Sequence, residues 1–427
     1  MFFKPLENRL KKSGFSVEIS KKRTGLEIEK GCHMSRFFNS VYKGLTPYTP
    51  GEQPQDKKYI KLNTNESPFP PAPGVIKAVN EQEAADLRLY SDPELKSLKA
   101  QLAETYSVKK EEVFIGNGSD EVLNYAFMAF CEDGIAFPDI TYSFYSVIAD
   151  LNQVETDIKP LNKDFTVDIS AYLGEQLTDE NTECISKIGT DGNSDGCSED
   201  KSERRYKGIG KSIVIANPNA PTGIRLSLSD ISKICEANRN HVVIIDEAYI
   251  DFAEEGSSAV ALIGKYENLL VTQTFSKSRS MAGARVGFAF GNEALIQDLE
   301  TLRNSNNPYN VNRISMKCAV EALRDKDYFD INCRKIKENR AYTKKALEGL
   351  GFRVLPSETN FLFAESNMIE GGELYRALKE RGVLVRHFND PKISNFNRIT
   401  IGSGDEMDAF LEAVTDILNF PDLRCGS

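Results

Sequence analysis

Lys277 stands in the run T-F-S-K-S, directly after the apolar stretch Leu269–Thr272. A lysine at a strand end is ordinarily a surface cation whose stem packs below it. Beside a carboxylate and an anion-binding arginine it becomes a candidate nucleophile or base. Asp246 ends the apolar run V-V-I-I-D-E-A-Y, and ligands of open α/β sheets bind outside the carboxyl ends of strands. A carboxylate placed there meets a ligand cation, such as a protonated ring nitrogen that draws electrons from a bound substrate. Tyr249 follows three residues later and offers a phenol to the same ligand. Arg285 lies eight residues after Lys277, in S-M-A-G-A-R-V-G-F, and its forked guanidinium suits a dianionic phosphate. Ser276 and Ser278 add hydroxyls beside Lys277. The turn G-N-G-S-D-E, which carries Ser119 and Asp120, opens a helix whose first N–H groups also suit an anion. Tyr142, in F-P-D-I-T-Y-S-F-Y, has a face that would cover a flat ring, although core packing is the commoner reason for any single aromatic there.

The elements that must hold these groups are short apolar runs alternating with helical stretches. Val113–Ile115, Ile213–Ala216, Val242–Ile245, Leu269–Thr272 and Val286–Phe290 read as strands. Their continuous apolar character predicts strands covered on both faces, hence an α/β domain with a mainly parallel sheet. A helix is expected over 119–130, and another over 92–106 with Asp92 as cap and Pro93 in its first turn. Beyond about residue 312 the pattern changes to a long helical region reaching about 350. Two strand–helix passes follow, Phe361–Phe363 with 371–381 and Ile399–Ile401 with 405–418, which read as a smaller α+β domain. The chain therefore divides into a disordered extension (1–33), an N-terminal arm with part of the small domain (34–80), a large domain (81–311) and a C-terminal small domain (312–427). Residues 175–211 carry nine Asp/Glu and six Lys/Arg and too little apolar surface to fold, so a flexible insertion is expected there.

Composition excludes several classes. The net charge of -10 over 427 residues lacks the basic footprint of a nucleic-acid binder. Eight cysteines form no CxxC pair and the three histidines stand apart, so no metal site is expected. No apolar run reaches the roughly 18 residues of a membrane span. The N-terminus lacks the apolar segment of a secretory signal, and a cytoplasmic location is expected.

The motifs GNGSDE, FPDITYSFY, NPNAPTG, DEAYIDF and TFSKSRSMAGARVGF, in that order, resemble the fold-type I, class-II pyridoxal-phosphate-dependent aminotransferases. The stretches KLNTNESPFPPAP, VLVRHFND and NRITIGSGDE are similar to the histidinol-phosphate aminotransferases within them. The resemblance covers about residues 36–420 outside the insertion, and the order of its motifs is far more specific than any one of them. It implies pyridoxal 5'-phosphate as cofactor, with Lys277 as the Schiff-base lysine, Asp246 at the ring nitrogen and Tyr249 at the ring oxygen. By the same resemblance Tyr142 stacks on the ring, and Ser119, Asp120, Ser276 and Arg285 form the phosphate cup. Tyr90 would reach the cofactor of a neighbouring subunit in a homodimer. Asn65, Arg386 and Arg398 would bind substrate. The implied reaction exchanges an amino group between L-histidinol phosphate and 2-oxoglutarate, a small-molecule amino donor and a 2-oxo acid. An aromatic amino-acid aminotransferase or a phosphothreonine decarboxylase is the alternative on the same scaffold. Two departures stand out. Ala220 occupies the place of the asparagine that contacts the ring oxygen, leaving Asn219, or Tyr249 alone, to serve that atom. Phe69 lacks the hydroxyl expected to help hold a substrate phosphate.

Overall fold

A computed structural model describes residues 35–177 and 206–419. Most of the expected insertion and the whole of the 1–33 extension lie outside the described residues. Residues 35–44 belong to a separate unit. They hold one short 3-10 turn, Ser40–Tyr42, capped by Asn39, whose side chain accepts from the Val41 N–H.

From residue 45 onward the described chain builds two sheets. Strands are numbered in chain order, beginning with β1 (Ile60–Leu62). The larger sheet has seven strands: β2 (Val113–Gly116), β3 (Ile135–Pro138), β4 (Thr156–Lys159), β5 (Ser212–Ala216), β6 (Val243–Asp246), β7 (Leu269–Thr274) and β8 (Gly287–Gly291). Their spatial order is β2-β8-β7-β6-β5-β3-β4. The run from β4 through β7 is parallel, and β8 is antiparallel to both of its neighbours. Every residue of β2, β3, β5, β6, β7 and β8 is buried, which is why these strands read as unbroken apolar runs instead of alternating ones. The expected mainly parallel sheet is present. β3 and β4 escape a sequence reading because one ends in proline and the other, at the sheet edge, is half-exposed with a mixed pattern.

The smaller sheet has the order β1-β11-β12-β10-β9. It is built from β9 (Phe352–Val354), β10 (Phe361–Ser366), β11 (Val383–His387) and β12 (Phe396–Thr400), with β1 joined parallel to β11. Helices Gly371–Glu380 and Gly404–Asn419 pack on it. The expected helix over 119–130 is present as Ser119–Phe130.

Two helix boundaries differ from expectation. The helix expected from Asp92 begins at Lys96. Asp92 still accepts the Lys96 N–H at 3.0 Å, but Pro93 and Glu94 form a turn before the helix and Leu95 adopts a left-handed conformation, φ 52°. The long helical region after 312 is two helices, Arg313–Arg324 and Lys326–Gly349. They are separated at Asp325, whose side chain caps the second by accepting from Tyr328 N. At the insertion's two described ends, Gly174 and Gln176 bridge to Gly208 and Tyr206. Among the described residues no helix is long and apolar enough to cross a membrane.

Candidate active site

The carboxyl ends of β5, β6 and β7 open into a cavity of about 230 Å³. Ala216, Asp246 and Thr274 are the last residues of those three strands, and all three line it. Parallel register sets Asp246 between Ala216 and Thr272. The Thr272 hydroxyl donates to Asp246 Oδ1 at 3.0 Å, and the Tyr145 hydroxyl to Oδ2 at 2.8 Å. Asp246 is only 4% exposed. Burial pushes its carboxyl up to about 6 against the pull of these two donors, so the site favours a partner that brings positive charge to it. Lys277 follows β7 through Phe275 and Ser276 and lines the same cavity, its Nζ 5.9 Å from the centre of the Tyr249 ring.

One end of the cavity is an anion cradle. Ser119 starts the helix Ser119–Phe130, preceded by Gly118 at φ 87°. Arg285 is held in a left-handed conformation, φ 52°, after the short turn Ala282–Ala284. Its Nη2 lies 3.1 Å from Asp120 Oδ2, while Tyr142 donates to Asp120 Oδ1 at 3.0 Å. Asp120 thus orients both the guanidinium and the aromatic ring. The Ser276 hydroxyl oxygen accepts from Thr274 at 2.9 Å, which leaves its proton for a ligand. Close approach makes this possible: a Cβ on Gly287 would lie 2.2 Å from the Ser119 backbone N, and one on Gly118, whose φ is 87°, would lie 2.6 Å from the Arg285 side-chain Nη2. Only glycine fits at either place.

The other end gathers cations. Arg386 on β11 and Arg398 on β12 are register partners, and both line the cavity with Asn65, Tyr48 and Phe388. Arg398 donates from Nη2 to Asn63 O at 3.0 Å, and its buried Nε has no partner among the described residues. Burial, together with the Arg386 charge, holds the Arg398 guanidinium below its usual range. No carboxylate forms an ion pair with either arginine among the described residues, so the pair is arranged to receive an anion.

Of the residues singled out from sequence, Asn65, Ser119, Asp120, Tyr142, Asp246, Tyr249, Ser276, Lys277, Arg285, Arg386 and Arg398 all line this one cavity. Two do not. Asn219 is buried behind the wall, its amide donating to Ile140 O and Thr222 Oγ1 and accepting from Thr141, so it has no donor left for the cavity. Its neighbour Ala220 lines the wall instead. Tyr90 is 80% exposed and stacks on Tyr309 with ring centres 4.6 Å apart, away from the cavity of its own chain. Phe69 also lies off the cavity, in a small recess shared with Ser278, Asn332 and Asn360 behind Lys277. Sequence reasoning missed Tyr48, whose ring meets the edges of Tyr142 and Phe144 at 6.4 Å and 5.4 Å. It sits in an irregular Pro-rich stretch with no periodicity to mark it. Tyr145 was also missed; it lies in the helix Phe144–Asn152, whose packing brings its hydroxyl to Asp246.

These residues fit pyridoxal phosphate. A buried carboxylate for the ring nitrogen, an amine for the aldehyde and a hydroxyl-and-guanidinium cradle for the phosphate share one cavity, with an aromatic side chain beside them. No cluster of metal-ligating side chains occurs among the described residues.

Fold and site together define a pyridoxal-phosphate-dependent transaminase. Residues 57–414 match the family "Aminotransferase class I and II", and the chain belongs to that family. A histidinol-phosphate aminotransferase of Brachyspira hyodysenteriae is 46% identical over 390 residues, which is 90% of this chain and 99% of that protein. One from Oceanobacillus iheyensis is 44% identical over 387 residues, again 90% of this chain and 99% of the relative. Among solved structures, the histidinol-phosphate aminotransferase of Sinorhizobium meliloti in complex with pyridoxal-5'-phosphate shares the fold. It has a TM-score of 0.75 and 22% identity, over 91% of this chain and 98% of that one.

Proposed function

We propose that this enzyme has histidinol-phosphate aminotransferase activity, moving an amino group between L-histidinol phosphate and 2-oxoglutarate to give imidazole-acetol phosphate and glutamate in histidine biosynthesis. The observation that carries the reading is one cavity with Lys277 and Asp246 on its sheet side and the arginines 386 and 398 at its far end. Relatives of that name at 46% and 44% identity support it.

When bound, pyridoxal phosphate supplies an electron sink for the carbon that bears the substrate's amino group. In this reading Lys277 binds the cofactor aldehyde. Its free Nζ would take the proton from the substrate carbon that bears nitrogen as a general base and pass it to the cofactor's aldehyde carbon, and would move a proton the opposite way in the second half of the cycle. Asp246 holds a proton at the ring nitrogen, and the hydroxyls of Tyr145 and Thr272 hold Asp246. Arg285, Ser119 and Ser276 bind the cofactor phosphate, with Asp120 orienting Arg285, and Tyr142 covers the ring. Arg398 and Arg386 bind the anionic groups of the two substrates.

A homodimer belongs to the same proposal. Ile76, Val79, Leu87, Leu89 and Tyr90 are all exposed within one short stretch of chain, the kind of apolar surface that a partner covers. A second copy would bring its Tyr90 toward this cavity. A cytoplasmic location also belongs here, supported by the free, buried thiols of Cys131, Cys235, Cys318 and Cys333, a usage suited to a reducing compartment.

The test is a substrate panel on purified, cofactor-loaded protein with 2-oxoglutarate as acceptor. L-histidinol phosphate should exceed L-phenylalanine in kcat/KM by at least about 100-fold, since charge-assisted bonds to a phosphate are worth about 1.5–3 kcal/mol each. Equal or reversed preference would overturn the assignment in favour of an aromatic substrate. Phe69, whose ring is outside the cavity, lends that alternative no support.

A further inference from the structure

Asn65 is 1% exposed and sits in a left-handed conformation, φ 54°. Four bonds fix it. Its N–H donates to Thr400 Oγ1 at 3.0 Å, and its Oδ1 accepts from the same hydroxyl at 3.0 Å. Its carbonyl accepts from Asn360 Nδ2 at 3.0 Å, and its own Nδ2 donates to the Tyr249 hydroxyl oxygen at 2.9 Å. The direction of the last bond follows from Thr400. Turning the Asn65 amide over would make Thr400 accept twice and would leave its hydroxyl proton, buried at 1% exposure, with no acceptor among the described residues. A buried donor without an acceptor costs more than a hydrogen bond gains.

The Tyr249 oxygen therefore already accepts from Asn65, and its proton has no acceptor among the described residues. Tyr249 lines the cavity, so that proton is directed into it. Ala220 and Pro221, which also line the cavity, bring no polar side chain, and the amide of Asn219 is occupied elsewhere. We propose that Asn65 is a positioning residue that fixes the Tyr249 hydroxyl as the donor to the cofactor's ring oxygen, and that it ties this donor to the small sheet through Thr400 and Asn360. The inference rests on the reading that the cofactor ring occupies this cavity.

The experiment titrates the visible absorbance of the loaded enzyme against pH. A donor to the ring oxygen stabilises negative charge there, so losing it raises the midpoint of the spectral change. In Asn65→Asp the side chain presents only acceptors to Tyr249, and the phenol proton turns away from the cavity. The midpoint should rise by about one unit, the size of one charge-assisted hydrogen bond, and Tyr249→Phe should show a similar rise. The double variant should rise no further than Tyr249→Phe alone, because both changes remove the same donor. Thr400→Val frees the Asn65 amide to turn and should shift the midpoint in the same direction; it is the second probe where Asn65→Asp folds poorly. An unchanged midpoint in a folded, loaded Asn65→Asp or Thr400→Val protein, or shifts that add in the double variant, overturns the proposal. Failure of the underlying reading is a different result: a visible band that survives in Lys277→Ala.

Discussion

Arg386 and Arg398 face the cavity as register partners, and neither forms an ion pair with a carboxylate among the described residues, which suits them to an anionic ligand. Replacing Arg386 with Gln should raise KM for L-histidinol phosphate about tenfold or more, with a smaller effect on kcat, as expected when binding common to ground and transition states is lost. Steady-state kinetics with each substrate varied in turn checks the split. Lys277→Ala should lose the visible band and at least about 100-fold in turnover, the usual contribution of a positioned general base; spectra and a coupled glutamate assay read both. Lys277, Asp246 and Arg285 were legible in the sequence because each adjoins a run whose burial is obvious from composition: Asp246 and Lys277 follow one and Arg285 precedes one. Thr272 and Tyr145 were not legible. Their function is to hold Asp246, and that depends on strand register and a helix packed across the sheet, neither of which spacing along the chain encodes. Asn219 shows the converse: its motif suggested a cofactor contact, whereas its loop uses every polar atom of the side chain internally.

At the scale of elements, the turn before helix Ser119–Phe130 and strand β8 meet through glycine. Gly287→Ala would drive a Cβ into the Ser119 amide, backbone that has no room to yield. It should destabilise the protein by about 1–3 kcal/mol and weaken cofactor retention, measured by thermal melting and by dialysis against buffer. The end of β6 carries a second buried acid. Glu247 accepts from Ser258 Oγ and Ala259 N, both at 2.6 Å, and from Gln273 Nε2 at 2.8 Å, yet burial pushes its carboxyl up to about 7 from 4.5. An acid whose value rises on folding supports the fold below its unfolded value and loses that support as pH climbs through the folded one. Glu247→Gln should therefore gain on the parent protein by about 3 kcal/mol between about pH 4.5 and about pH 7.5, followed by denaturant titration at each pH. The buried strands β2, β5, β6, β7 and β8 were readable, and β3, which ends in proline, was not. The edge strands β1, β4 and β9 were not, since a short half-exposed strand carries no run and no clean alternation.

For the whole molecule, the exposed row from Ile76 to Tyr90 predicts assembly. Sedimentation should report a dimer, and Tyr90→Ala should weaken cofactor retention more than it weakens folding, because the side chain is exposed within its own chain. Retention measured by cofactor release and stability by melting separate the two effects.

The pairing of β1 with β11 joins Ile60 to Val383, segments made at nearly opposite ends of synthesis. At roughly 5–20 residues per second on the ribosome, the early strand waits on the order of tens of seconds with its edge uncovered. The larger sheet waits for a shorter time, since its longest-separated pair, β2 with β8, is complete before β9 is made. Nascent chains stalled after β8 should therefore already protect the Lys277 region from protease while the stretch around Ile60 stays cleavable.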